Sequence, residues 1–69
     1  MGYRVTNAIV NSEGDFIEEG EIVRITLDDE SVLIGFIEDI FYNEETLDIC
    51  CEYFTVNIGV HRITSITKE

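Results

Sequence analysis

Val23, Ile25 and Leu27 alternate with Arg24 and Thr26, the two-residue period of a strand with one face in a core and one in water. Asp28 to Ser31 follows as a polar turn. The period returns over residues 46–53, where Leu47, Ile49, Cys51 and Tyr53 are expected inward and Thr46, Asp48, Cys50 and Glu52 outward. Phe54, Val56, Ile58 and Val60 make the next apolar set, although no glycine or proline marks a turn before it. After a kink at His61 and Arg62, Ile63 and Ile66 belong to a closing strand. No window sets apolar residues at helical spacing, so an all-β fold with almost no helix is expected.

Residues 32–40 break the pattern, because both faces are apolar. Leu33, Gly35 and Ile37 form one set, and Val32, Ile34, Phe36 and Ile40 the other. A single antiparallel strand in so small a domain rarely has two covered faces. Either the strand bends sharply at Gly35 and serves two parts of a barrel, or one face is an interface. Upstream, residues 3–10 (YRVTNAIV) are β-prone with imperfect alternation, and Asn11, Ser12, Gly14 and Asp15 supply turn chemistry. FIEEGE continues the chain to a redirection at Gly20. Whether residues 1–20 complete a barrel or add an outside hairpin is open at this level.

The chain of 69 residues makes one domain, residues 1–69. An apolar fraction of 45% lets it fold despite a net charge of −11. Five or six short strands in this length suggest a small barrel, which removes most unpaired edges. No apolar run approaches a membrane span and no signal peptide is visible, so a cytoplasmic location is expected. MGYRVT has the Gly2 and Thr6 of a myristoylation pattern, but the bulky Tyr3 and the lack of a polybasic second signal argue for a strand instead. Cys50 and Cys51 are adjacent, so in a strand they face opposite ways, Cys51 toward the core. No third cysteine offers a disulfide partner, which fits a reduced compartment. Two adjacent cysteines and one histidine fall short of a zinc site.

The order of elements resembles the SH3-like and Sm-like small barrels over residues 21–67. VRITLDDESVLIGFIEDIFYNEETLDI is similar to an Sm-like first half: a strand, an acidic turn, a bent strand with Gly35 at its centre, Asp39, then Asn43 before an apolar strand. IGVHRITSI is similar to the short last hairpin of those proteins, with His61 where the bacterial Sm-like RNA chaperone has the histidine of a Lys-His pair. Val60 stands in place of that lysine, and the turn reads Asp-Asp-Glu-Ser without the usual glycine. The resemblance implies a five- to six-stranded barrel. It would assign any RNA contact to Asn43, His61 and Arg62.

Composition opposes that role. Phosphate affinity comes largely from lysine and arginine displacing counterions, and this chain has four basic residues, dispersed at Arg4, Arg24, Arg62 and Lys68. There is one histidine, no recognisable nucleophile–base pair, no phosphate-cradling glycine loop and nothing that implies a cofactor, so a non-enzymatic role is expected. Asn11, Glu13, Asp15, Glu18 and Glu19 cluster oxygens, but Gly14 is misplaced for a calcium loop. The acidic residues gather at Glu13 to Glu21, Asp28 to Glu30, Glu38 with Asp39, and Glu44 to Glu52. Such charge can serve solubility alone. It can also steer an apolar patch onto a basic protein surface. Small acidic Sm-like proteins that block the transcription terminator Rho, and phage inhibitors that mimic nucleic acid, are family precedents. The expected partner-binding face is therefore Ile34, Phe36 and Tyr42, rimmed by Asp28, Asp29, Glu30, Glu38 and Asp39. The alternatives are an oligomeric Sm-like RNA binder and a self-associating structural barrel.

Overall fold

The computed structural model describes residues 3–5 and 8–69, so the Gly2 and Thr6 pattern lies outside the described residues. Two-residue strands β1 (Arg4–Val5), β2 (Ile9–Val10) and β3 (Phe16–Ile17) form an antiparallel meander. The segment expected as one strand over 3–10 is thus folded back on itself, with Arg4 opposite Val10. β4 (Ile22–Leu27), β5 (Val32–Phe41), β6 (Thr46–Cys51), β7 (Thr55–Gly59) and β8 (Ile63–Lys68) form a second antiparallel sheet in the order β7-β6-β5-β4-β8. The 3-10 turn Val60–Arg62 is the helical element among the described residues, and none of these is a helix long and apolar enough to cross a membrane.

That turn dictates the sheet's shape. Four strand spacings of ~4.8 Å would set the edges β7 and β8 ~19 Å apart in a flat sheet. The link from Gly59 to Ile63 is four Cα steps, ~8 Å at a 3-10 rise of ~2 Å per residue. The sheet must therefore curl until its two edges approach. Among the described residues β7 and β8 form no ladder, so the curl stops short of a closed barrel.

Curling wraps one face around a core of aliphatic side chains. Val23 and Ile25 from β4, Ile37 from β5, Leu47 and Ile49 from β6, and Ile63 and Ile66 from β8 are all but inaccessible to water. The meander closes this core, because Ile9 and Ile17 are equally buried. Asn11 fastens it from the side. Its Oδ1 accepts the backbone N–H groups of Glu13 (3.0 Å) and Asp15 (2.9 Å), and its Nδ2 donates to the Ile66 carbonyl at 3.0 Å. Asn11 is the buried polar residue of the core, and its hydrogen bonds make that burial tolerable. With Oδ1 taken by two backbone donors, Asn11 is a turn-holding residue rather than a cation ligand.

β5 is bent twice. At Gly35 the strand runs so close to β6 that a Cβ would strike the Cys50 carbonyl oxygen, with the Cys50 carbonyl carbon at 2.8 Å and the Cys51 Cα at 3.0 Å. Further on, a bulge between Ile37 and Asp39 shifts the register, so Ile37 pairs with Ile49 and Ile40 with Leu47. Both then face inward. Ile40, expected on the outer set, packs against the core instead, because the bulge reverses the alternation. The N–H of Ile40 at this bulge donates to Glu19 Oε2 at 2.9 Å. Gly20 N–H donates to the Ile37 carbonyl (2.7 Å), and Ile37 N–H to the Glu21 carbonyl (3.1 Å), which prolongs the β4–β5 ladder past the strand end.

The hairpins explain two further departures. The β6–β7 turn is closed by Cys51 N–H donating to the Phe54 carbonyl at 2.7 Å. Neither Glu52 nor Tyr53 takes a positive φ, so the turn needs no glycine and left no mark in the sequence. Tyr53, expected inward, sits at the tip and is 90% exposed, and Phe54 also faces water. In the β4–β5 hairpin Glu30 adopts φ 71, the left-handed region that glycine fills without strain. Glu30→Gly is therefore expected to stabilise the domain by about 0.5–1 kcal/mol. The check is a higher urea midpoint at unchanged m value.

Candidate functional site

Alternation along the first half of β5 sends Val32, Ile34 and Phe36 to the face opposite the core, where all three are exposed. Pairing extends this row sideways. Phe36 (40% exposed) stands opposite Ile22 of β4 (58%) on one side and Cys50 of β6 on the other, while Ile34 (46%) stands opposite Arg24. Five apolar side chains thus meet on the convex outer face. A row of this kind on a chain of net charge −11 is the least soluble part of its surface.

Carboxylates stand at both ends of the row. Asp28, Asp29 and Glu30 occupy the β4–β5 turn beside Val32, all exposed. At the far end the β5 bulge places Glu38, Asp39 and Asp48 together, their carboxylate oxygens within 4.8 Å of one another. Asp39 and Asp48 are direct cross-strand partners, and Asn57 Nδ2 donates to Asp48 Oδ1 at 2.9 Å. Among the described residues this trio is the group that brings three potential cation ligands together, and exposed carboxylates at such spacing are ordinary surface features. Its effect on the face is concentrated negative potential.

The basic residues do not offset that field, because carboxylates hold three of them. Arg62 reaches Asp28 at 3.2 Å and Asp29 at 3.5 Å, Arg24 reaches Glu69 at 3.4 Å, and Lys68 reaches Glu21 at 3.2 Å. Each pair is at least partly exposed and adds about 0–1 kcal/mol to stability. Each also removes a free cation from the surface. Asp29 Oδ1 accepts the Ser31 backbone N–H at 3.0 Å. That bond, then the Ser31 side chain and the charge of Arg62, hold the Asp29 carboxyl below its ordinary value. The turn's stabilisation is thus complete above the ordinary carboxylate range and fades as pH falls through the lowered value.

Of the expected face, Ile34 and Phe36 share the row, and Ile22, Val32 and Cys50 join them. Tyr42 does not. It is exposed in the β5–β6 turn, six residues past Phe36 and so roughly 20 Å along the strand, and the intervening bulge reverses the side-chain direction. Ile22 carried a weak signal in the sequence, as an apolar residue out of phase with Val23, Ile25 and Leu27. The alternative RNA-contacting set lies at the end of the sheet where Val60 N–H donates to the Glu45 carbonyl at 2.9 Å. This brings the turn bearing Asn43 beside the 3-10 turn bearing His61. Asn43 and His61 are exposed, but Arg62 is turned away into its clamp on Asp28 and Asp29. His61 is positioned by Gly59, where a Cβ would come within 2.6 Å of His61 Cε1. Cys51 packs partly against the core, and burial, then the neighbouring Cys50, push its thiol pKa up. The chain matches no protein-family model, no curated protein and no solved structure at a significant level.

Proposed function

We propose that this chain is an acidic, non-enzymatic binding module of SH3-like or Sm-like barrel type that docks on a basic protein surface. The curled sheet capped by the N-terminal meander is read as a partly open barrel. The observation that carries the functional reading is the exposed apolar row of Ile22, Val32, Ile34 and Phe36 lying between two groups of carboxylates. Aromatic and aliphatic anchors supply most of an interface's energy, while surrounding charge supplies rate and selectivity. With Arg24, Arg62 and Lys68 engaged by carboxylates, the surface favours a partner rich in lysine and arginine over a polyanion. A regulator or inhibitor that occupies the basic groove of a nucleic-acid-binding protein in the cytoplasm fits this chemistry.

Two measurements test the reading. Fluorescence anisotropy with a 20-nucleotide single-stranded RNA near 0.15 M salt is expected to show no binding. Binding that depends on His61 or Asn43 would replace this reading with the RNA-contacting one. Affinity capture on immobilised protein should retain nucleic-acid-binding proteins that added salt or nucleic acid releases. Phe36→Ser should weaken that capture by at least about tenfold, more than loss of any one of Asp28, Asp29, Glu30, Glu38 or Asp39. It should leave the melting temperature within a few degrees, because Phe36 lies outside the core. A salt-insensitive complex, or one indifferent to Phe36, would sink the proposal.

A further inference from the structure

The two edges of the five-stranded sheet are unequal. Glu69 N–H donates to the Ile22 carbonyl, so Ser65, Thr67 and Glu69 face β4 while Ile66 and Lys68 turn their backbone groups outward, and the register shift at Thr26/Leu27 leaves the Thr64 carbonyl on the outer side as well. Side chains cover two of those outward carbonyls: Tyr3 Oη donates to Thr64 O at 2.9 Å and Asn11 Nδ2 to Ile66 O at 3.0 Å. At the other edge, Phe54 O accepts from Cys51, and Val60 N–H donates to Glu45. Even-numbered residues of β7 therefore face β6, and Thr55, Asn57 and Gly59 present their backbone groups outward. The Gly59 carbonyl already accepts the Arg62 N–H within the 3-10 turn, whereas Thr55 and Asn57 are exposed and none of the hydrogen bonds among the described residues reaches their outward backbone groups. Of the strands longer than two residues, β7 alone carries no charge, whereas natural edges are normally guarded by charge or proline.

We infer that β7 pairs with β7 of a second copy, antiparallel about a two-fold axis at Asn57, to give one continuous ten-stranded sheet. Thr55 of one copy then lies opposite Gly59 of the other and Asn57 opposite Asn57, forming about six backbone hydrogen bonds, two of which share the Gly59 carbonyl with the Arg62 N–H. The edge is complementary to itself beyond the strand. Carrying that register outward sets the exposed Tyr53 of one copy on the side of the exposed His61 of the other. An aromatic pair thus arises twice from one symmetry operation. A head-to-tail ring would need β7 to add to β8 of its neighbour, where Tyr3 and Asn11 already occupy the Thr64 and Ile66 carbonyls. The apolar row of β5 stays outside the interface, so the dimer would display two such rows.

Sedimentation equilibrium at roughly 20–200 µM in 0.5 M salt, where the mutual repulsion of acidic chains is screened, is expected to give the mass of two chains. Thr55→Pro removes an outward N–H without costing a β6–β7 hydrogen bond, so it should give a one-chain mass with unchanged circular dichroism. Tyr53→Ser, in an exposed turn, should weaken the dimer by at least about fivefold, because two aromatic pairs are lost. Phe36→Ser should leave the mass unchanged. A wild-type monomer, a ring of five to seven chains, or a dimer that survives both Thr55→Pro and Tyr53→Ser would overturn the inference.

Discussion

Gly35→Ala is expected to leave most of the protein unfolded at 37 °C and to cost about 3 kcal/mol or more at 25 °C. The added Cβ would meet the Cys50 carbonyl group and the Cys51 Cα, all backbone atoms of the adjacent strand. No rotamer change can relieve such a contact, so β5 and β6 must part where Gly35 pairs with Cys51. Overpacking a core commonly costs about 1–3 kcal/mol, and a backbone clash belongs at the top of that range. A domain of this size rarely holds more than about 3–5 kcal/mol in total. Urea unfolding followed by circular dichroism reads the effect directly. A loss below about 1 kcal/mol would mean that the two strands separate there easily, and the account of the close approach would be wrong.

Ile17→Ala should be nearly as damaging, at about 2–5 kcal/mol, the usual cost of emptying a fully buried isoleucine site. Ile17 belongs to a strand of only two residues, and its neighbour Phe16 points to solvent, 62% exposed. Phe16→Ala is therefore expected to change stability by less than about 0.5 kcal/mol. The contrast between adjacent residues tests whether the N-terminal meander is part of the core. Were residues 3–17 an outside hairpin, both substitutions would be mild and their difference would vanish.

Much of this fold was legible in residues 22–27 and 46–51, where strict alternation assigned Val23, Ile25, Leu27, Leu47 and Ile49 to the core face. The β4–β5 hairpin was legible too, from its run of Asp28 to Ser31. The β6–β7 turn was not, because a turn with ordinary φ values accepts Glu52 and Tyr53 without a signature residue. Nor was the placement of Ile40. A bulge is one extra residue in a register, and register depends on the partner strand rather than on local composition. The candidate face divided in the same way. Ile34 and Phe36 followed from the two-sided apolar run, Tyr42 was lost to the bulge, and Ile22 was recovered only through its pairing with Phe36.

The sequence by itself determined an all-β chain, an acidic surface and a surplus of apolar side chains on the strand around Gly35. Those properties are local or additive: a two-residue period, a sum of charges, and more isoleucine, valine and phenylalanine than one face can hide. Only the tertiary structure decided which of them water would see. The short link from Gly59 to Ile63 curls the sheet, the meander buries Ile9 and Ile17 inside that curl, and the outer row of β5 is left uncovered. It also drew Arg62 onto Asp28 and Asp29, residues more than thirty positions away, and capped two carbonyls on one sheet edge while leaving Thr55 and Asn57 uncapped on the other. Such long-range pairings arise from chain closure in three dimensions, which no stretch of the sequence encodes alone.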